Sequence, residues 1–237
     1  MTSTPPASHG SEGASVKINI GCGTTPTAGW TNFDNSLVVQ MARSRLLVKI
    51  IFWTRVMPAP SRAFLQHAAQ GNIRFANAGA RIPCPTHSVE ALYSSHMVEH
   101  LDRREVQTFL MEARRVLQPG GVIRIAVPDL SLLVNSYQAT GDADAFISKT
   151  HMGLNRPVKI SARLKTLVTG LRHHLWMYDG PSMVRLLSNA GFSDVRIMAP
   201  GDTYISAPGS LDLKERASES VYVEGVQPMP GQSSHHC

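Results

Sequence analysis

The stretch Val16-Lys17-Ile18-Asn19-Ile20-Gly21-Cys22-Gly23 constrains the fold most: an alternating apolar strand runs straight into a Gly-x-Gly turn. A β-branched run ending in two glycines puts bare backbone at the carboxyl edge of a sheet, where a ligand can approach the main chain closely. Alone, the pattern is weak. Its weight comes from the blocks downstream and their order: Asp34 after a short apolar run, then Tyr93-Ser94-Ser95-His96-Met97-Val98-Glu99-His100-Leu101, then Arg115-Val116-Leu117-Gln118-Pro119-Gly120-Gly121 leading into Val122-Ile123-Arg124-Ile125-Ala126-Val127-Pro128-Asp129.

Taken in order, these blocks resemble the class I S-adenosylmethionine-dependent methyltransferases. They are most similar to bacterial methyltransferase-domain proteins with a GCG, GW.N.D, SSH..EHL, PGG and VPDL pattern, over roughly residues 16 to 226. The resemblance implies an α/β fold: a Rossmann-like, seven-stranded, mostly parallel sheet with an antiparallel last strand inserted at its edge and helices on both faces. It also implies S-adenosyl-L-methionine as cofactor, its methionine and ribose portions passing over the backbone of Gly21, Cys22 and Gly23. Asp34 would accept hydrogen bonds from the ribose hydroxyls, and the alternative is a turn or cap aspartate in Asp34-Asn35-Ser36. Asn77-Ala78 would stand beside the adenine, where Asn77 reads equally as a turn asparagine. Ser94, Ser95 and His96 would close the fourth strand at the ligand edge.

Gly21 and Asp34 are only 13 positions apart, against about 20 in a standard dinucleotide-binding unit. Little room remains for a first helix, and Thr24 to Gly29 reads as a loop, followed by Gly29-Trp30 as in the subgroup it resembles. The missing third glycine counts against a nicotinamide cofactor. Asn19 stands where many relatives carry an acid.

A chain of 237 residues with 43% apolar content suits one sizeable α/β domain. The expected organisation is a disordered leader over 1–15, without the basic-then-apolar layout of a signal peptide, a methyltransferase domain over 16–226, and a disordered tail over 227–237. Three scattered cysteines, Cys22, Cys84 and Cys237, argue against a disulfide framework and for a reducing cytoplasm. No apolar run is long enough to span a bilayer.

The net charge of +6 is unevenly spread. Between Asp34 and Glu90 there is no acid but there are seven basic residues, Arg43, Arg45, Lys49, Arg55, Arg62, Arg74 and Arg81. Between Asp144 and Asp179 there are six more, Lys149, Arg156, Lys159, Arg163, Lys165 and Arg172. The ten basic residues elsewhere face all 17 acids. The positive charge therefore belongs to two insertions, near 41–70 and 145–178, which read either as a partner surface or as solvated faces.

Strand-like runs fall at Lys17–Ile20, Thr31–Phe33, Asn72–Ala76, Ala91–Ser94, Val122–Val127, Val195–Met198 and Val221–Val226. The last two lack a helix between them and should pair antiparallel. One helix is expected from its N-cap Asp102, its N3 residue Glu105 and a Leu101–Val106 staple, stopping at Pro119-Gly120-Gly121. Another has Pro181 at N1 and Gly191 at C′, with Phe192 folding back on Leu187. Asp129 reads as the N-cap of a helix over Leu130–Gln138. Arg45 to Met57 is apolar nearly all round, so it should be buried under the domain, or else face lipid or an apolar substrate.

Methyl transfer needs positioning above all. His96 and His100 are candidate general bases, four apart and on one face if the helix has already begun. The alternative is that they shape the cofactor pocket without transferring protons, with Glu99 orienting one of them or capping a helix. His173, His174 and Tyr178 form a candidate substrate-side segment. No third ligand at metal-binding spacing is evident, so no metal is expected; His235, His236 and Cys237 lie in the expected tail. The expected reaction is O-methylation of a small-molecule, sugar or lipid-linked glycan acceptor, as in surface-polysaccharide biosynthesis, with an anionic acceptor and peripheral membrane contact suiting the basic segments. A nucleic-acid methyltransferase is the runner-up, supported by pI 9.5 but not by any Asn-Pro-Pro-Tyr or RNA-domain motif. A non-catalytic cofactor-binding or membrane-surface module is the third.

Overall fold

The computed structural model describes residues 16–54, 59–153 and 173–231. Seven strands form one sheet: β1 (Val16–Ile20), β2 (Thr31–Asp34), β3 (Ile73–Phe75), β4 (Val89–Ser95), β5 (Leu117–Pro128), β6 (Ser193–Met198) and β7 (Ser220–Val226). Their order is β3-β2-β1-β4-β5-β7-β6. The first five are parallel, and β7 runs antiparallel to both β5 and β6. The last strand is thus inserted one place inside the edge, which β6 holds.

Seven helices are described: α1 (Leu37–Met41), α2 (Arg45–Thr54), α3 (Ala59–Ala69), α4 (Arg103–Val116), α5 (Leu130–Thr140), α6 (Ala143–Thr150) and α7 (Gly180–Asn189). Alternation along the strands sorts side chains to the two faces of the sheet. On one face Ile18, Ile20, Leu92, Ile123, Ile125 and Val223 pack with α4 and α7 in the main core. On the other, the register aligns Asn32, Asn19, Tyr93, Arg124 and Glu224 side by side across five strands. There α1–α3 cover the β3 side through Val39, Phe64, Leu65 and Ile73. The segment before β7 covers the rest, bringing Ile205 and Leu211 onto Trp30 and Tyr93.

Helix ends follow the chemistry of their caps. The Asp102 carboxylate accepts from the Arg104 and Glu105 amides, while Glu105 accepts from the Asp102 amide, closing a capping box at α4. Asp129 caps α5 through the Ser131 amide. Helix α7 starts at Gly180 with Asp179 as N-cap, so Pro181 stands at the second helical position. At its end Gly191 (φ +91°) donates to Ser188 O at 2.9 Å and Phe192 to Leu187 O at 3.2 Å, the two bonds of a Schellman motif.

Three expectations need correction. Pro119-Gly120-Gly121 does not form the stop of α4; that helix ends at Val116 and the three residues lie within β5. Gly121 is required there because a Cβ would stand 3.0 Å from Glu90 O and 2.9 Å from Gln118 O. Helix α2 is not buried: Ile51 alone is, while Leu46 is 70% and Trp53 85% exposed, with Ile50 and Phe52 also outside. Gln227, assigned to the tail, is buried and exchanges backbone hydrogen bonds with Gly120 and Gly121. The leader 1–15, Arg55 to Met57, and Arg156, Lys159, Arg163, Lys165 and Arg172 lie outside the described residues. No described helix is long and apolar enough to cross a membrane.

Candidate active site at the carboxyl edge

The glycine loop leaves β1 while still bonded to β2: the Gly21 and Cys22 amides both donate to Phe33 O, at 2.8 and 3.1 Å. Both glycines are left-handed, at φ +73° for Gly21 and +51° for Gly23. A Cβ on Gly23 would meet open space, a cradle that a ligand can fill. On Gly21 it would strike the Met97 side chain at 2.6 Å, so this glycine serves close packing against the end of β4. Buried amides replace the missing first helix. Asn32 accepts from the Thr27 amide and donates to Thr27 O and Trp30 O, and Asn19 donates to Thr27 Oγ1. Asn19 is thereby a brace of the loop, and Asn32, the asparagine of the GW.N.D block, is a second brace.

Asp34, at the end of β2, is a turn aspartate that also braces the glycine loop. Oδ1 accepts from the Ser36 amide at 2.8 Å as a turn aspartate, and Oδ2 accepts from the Gly23 amide at 3.0 Å. A carboxylate has about four acceptor positions, so two remain for ligand hydroxyls. Cys22 beside it is buried; burial and then the Asp34 charge push its thiol far above the ordinary range. It is therefore an unreactive packing residue.

Farther along the edge, Asn77 is exposed and closes a turn by accepting from the Gly79 amide at 3.2 Å. It also lines a groove of about 620 Å³ with Phe75, Arg81 and Pro83. The Ala78 methyl lies in the main core, so its side chain contributes packing. Ser94 is fully buried, with an Oγ that makes no hydrogen bond among the described residues. Ser95 follows at the last position of β4.

His96 sits just beyond β4 with φ +48°, an uncommon conformation for a residue with a side chain, held by donation of its amide to Ala126 O. Its Nε2 lies 2.9 Å from Ser220 Oγ, and its Nδ1 lies 3.2 Å from Glu99 Oε1. His96 and His100 do not share a helical face: α4 begins only at Arg103, and Val98–His100 is a single 3-10 turn. Glu99 caps no helix. It is fully buried, and neither carboxylate oxygen receives a hydrogen bond among the described residues.

The segment from His173 to Tyr178 is stitched onto this turn. The Leu175 and Trp176 amides donate to Glu99 O at 2.7 and 3.2 Å, and Leu130 donates to Tyr178 O at 2.8 Å. His174 Nε2 consequently stands 4.0 Å from Glu99 Oε1, and its ring lies 5.0 Å from that of His100 and 5.2 Å from that of His151. Burial pulls His174 down to about 4, against the opposing pull of Glu99, so the ring is neutral near pH 7. His100 Nδ1 lies 2.9 Å from His173 O. A carbonyl only accepts, so Nδ1 carries a proton and donates this bond. Burial raises the Tyr178 phenol, with Arg103 opposing. Sequence order leaves Glu99 and His174 far apart; the structure makes them neighbours.

A parallel sheet with a reversed penultimate strand, a glycine loop joined to an acid at the end of β2 and polar side chains gathered at the carboxyl edge make a Rossmann-like α/β fold with a candidate ligand site at that edge. Residues 18–125 match the family described as Methyltransferase domain. No curated protein sequence matches the chain. Among solved structures, it is similar to a SAM-dependent methyltransferase from Thermotoga maritima, with 14% identity over 90% of this chain and 82% of that one and a TM-score of 0.47. A SAM-dependent methyltransferase from Methanosarcina mazei gives 13% identity, coverage of 90% and 92%, and a TM-score of 0.46. Phosphoethanolamine N-methyltransferase 2 from Haemonchus contortus, in complex with S-adenosyl-L-methionine, gives 11% identity, coverage of 92% and 50%, and a TM-score of 0.44.

Proposed function

We propose that this methyltransferase transfers the methyl group of S-adenosylmethionine to a hydroxyl oxygen of a sugar or lipid-linked glycan acceptor presented at an anionic surface. When bound, the cofactor supplies a methyl on a positively charged sulfur. The chain's own residues hold and orient. Gly21, Cys22 and Gly23 offer backbone, and Asp34 keeps acceptor positions free for the ribose hydroxyls. Asn77 and Ala78 stand at the adenine end, and Ser94, Ser95 and His96 at the methyl end. His96 or His100 takes the hydroxyl proton, and His173, His174 and Tyr178 wall the acceptor. The methyltransferase unit starts at 16 and takes in Gln227, one residue past the boundary expected at 226.

The acceptor reading is carried by α2. Leu46, Ile50 and Trp53 form one exposed apolar stripe at helical spacing, flanked by exposed Arg45 and Lys49. Ile51, on the opposite side, packs in the same cluster as Cys22 of the glycine loop, which ties the stripe to the cofactor edge. The whole segment from 35 to 89, which includes this insertion, contains no acid. An apolar stripe with basic flanks suits the headgroup layer of an anionic bilayer. Nucleic acid, the runner-up, offers anionic charge but no place for three large exposed apolar side chains.

Cosedimentation with phosphatidylglycerol-containing vesicles tests this reading. Binding should fall with salt and with Lys49→Glu, by about 1 kcal/mol per basic residue engaged, and should fall with Trp53→Ser. Equal binding to uncharged vesicles, or none to either, would remove the membrane-presented acceptor.

A further inference from the structure

The geometry points to a divalent-cation site formed by Glu99, His100 and His174. It rests on the methyl-transfer reading for its role but not for its detection. The three residues each offer a ligand atom, and these atoms lie within 4.8 Å of one another. Glu99 contributes a fully buried carboxylate whose two oxygens have no hydrogen-bond partner among the described residues. An isolated buried carboxylate costs several kcal/mol, and a bound cation offsets that cost. His96 Nδ1, 3.2 Å away, is close enough for an ion pair but makes no hydrogen bond to the carboxylate.

The supporting residues are those a metal centre uses. A histidine ligand commonly donates its second ring N–H to a backbone carbonyl, which fixes the tautomer and aims the free lone pair. His100 does this to His173 O, the residue next to His174. The second chain crossing is equally fixed, since the Leu175 and Trp176 amides both bind Glu99 O. Two imidazoles and one carboxylate select a borderline ion such as Zn²⁺ or Co²⁺ and leave a fourth position open. Bonds of about 2.0–2.1 Å put tetrahedral ligand atoms roughly 3.4 Å apart, so closing on an ion needs side-chain movements of about 1 Å.

Glu99 and His100 follow directly on β4, at the carboxyl edge where the acceptor hydroxyl would meet the methyl. An ion there lowers the pKa of that hydroxyl and fixes its oxygen. The O–H proton passes to His96, the base that remains once His100 holds the ion, and the oxygen forms the new O–C bond. The S–C bond breaks with its electron pair on sulfur, leaving S-adenosylhomocysteine and the methyl ether.

The test titrates Zn²⁺ and Co²⁺ alone into the full-length chain by calorimetry and visible absorbance. His235→Ala, His236→Ala and Cys237→Ser are placed in the background to remove the ligand-type side chains at the chain end. One ion per chain is expected, with Zn²⁺ displacing the Co²⁺ spectrum. Glu99→Gln and His174→Ala should each weaken binding about 100-fold or more, with circular dichroism reporting that they remain folded. Absence of binding, or binding unchanged by both substitutions, overturns the site. Loss of methyl transfer in Glu99→Gln without any ion bound to the parent also overturns it, leaving Glu99 as a partner of His96. Cofactor binding measured in parallel separates the two readings, because a chain that takes Zn²⁺ but not S-adenosylmethionine refutes the enzyme and not the site.

Discussion

Glu224 and Glu99 are both fully buried, and the fold treats them in opposite ways. Around Glu224, Oε1 accepts from Arg124 Nη1 at 2.7 Å and Thr203 Oγ1 at 2.6 Å, and Oε2 from the Tyr204 amide at 2.7 Å. Arg124 in turn donates to Asp202 O and Leu213 O and lies over the Tyr222 ring. This pair fastens the segment before β7 onto the sheet. Around Glu99 no donor is in place among the described residues, although three histidines are close. The difference teaches where to look for chemistry: a satisfied buried charge belongs to the architecture, whereas an unsatisfied one at a sheet's carboxyl edge awaits a ligand or a proton.

The largest effect should come from breaking the satisfied member. Glu224→Gln leaves the Arg124 guanidinium buried without its counter-charge and should lower stability by about 3–5 kcal/mol, read as the midpoint of urea unfolding. A shift below about 1 kcal/mol would mean that Arg124 is sustained by backbone carbonyls alone.

Asp34 sharpens the comparison, since its carboxylate is half committed to the fold and half open. Asp34→Ala should weaken S-adenosylmethionine by about 1.5–3 kcal/mol in calorimetry; wild-type affinity would remove Asp34 from the site. Gly23→Val should block binding with little effect on folding, beyond the strain of a left-handed residue, because its Cβ enters open space. Gly21→Val is the poorer probe, since its clash with Met97 disturbs packing as well.

The smallest effect belongs to a cap. Asp179 accepts from the Ser182 amide, and that bond, followed by the Ser182 hydroxyl, holds its carboxyl below the ordinary range. Its folded-state pKa is depressed, so its contribution is present above pH 3.8 and is lost as pH falls through the lower folded value. Asp179→Ala should cost about 1 kcal/mol at neutral pH and flatten the acid limb of the stability profile. An unchanged acid limb would contradict the cap.

Local chemistry is readable from the sequence where its partners are near in the chain. The capping box needs only Asp102 and Glu105, and the Schellman motif only Leu187 through Phe192. The strand into Gly21 and Gly23, Asp34 and the Asp129 cap are legible for the same reason. Glu99 is missed as a site because its partner His174 arrives through a distant segment, and nothing local announces that the Leu175 and Trp176 amides will bind Glu99 O. The Arg124–Glu224 pair does carry a signal: one charge in the middle of each of two apolar strands expected to lie in the same sheet. Helix α2 shows the limit of periodicity, which says that a helix is apolar but not whether protein covers it. Ile51 found the core, while Leu46 and Trp53 did not.

The contrast between the two glutamates comes down to a paired measurement on Glu99→Gln: thermal unfolding without ligand, and single-turnover methyl transfer. Removing an unpaired buried charge while keeping its shape should leave the melting temperature unchanged or raise it, while methyl transfer is lost. A melting temperature that falls as it does for Glu224→Gln, with activity tracking only the folded fraction, would place Glu99 in the architecture and erase the contrast.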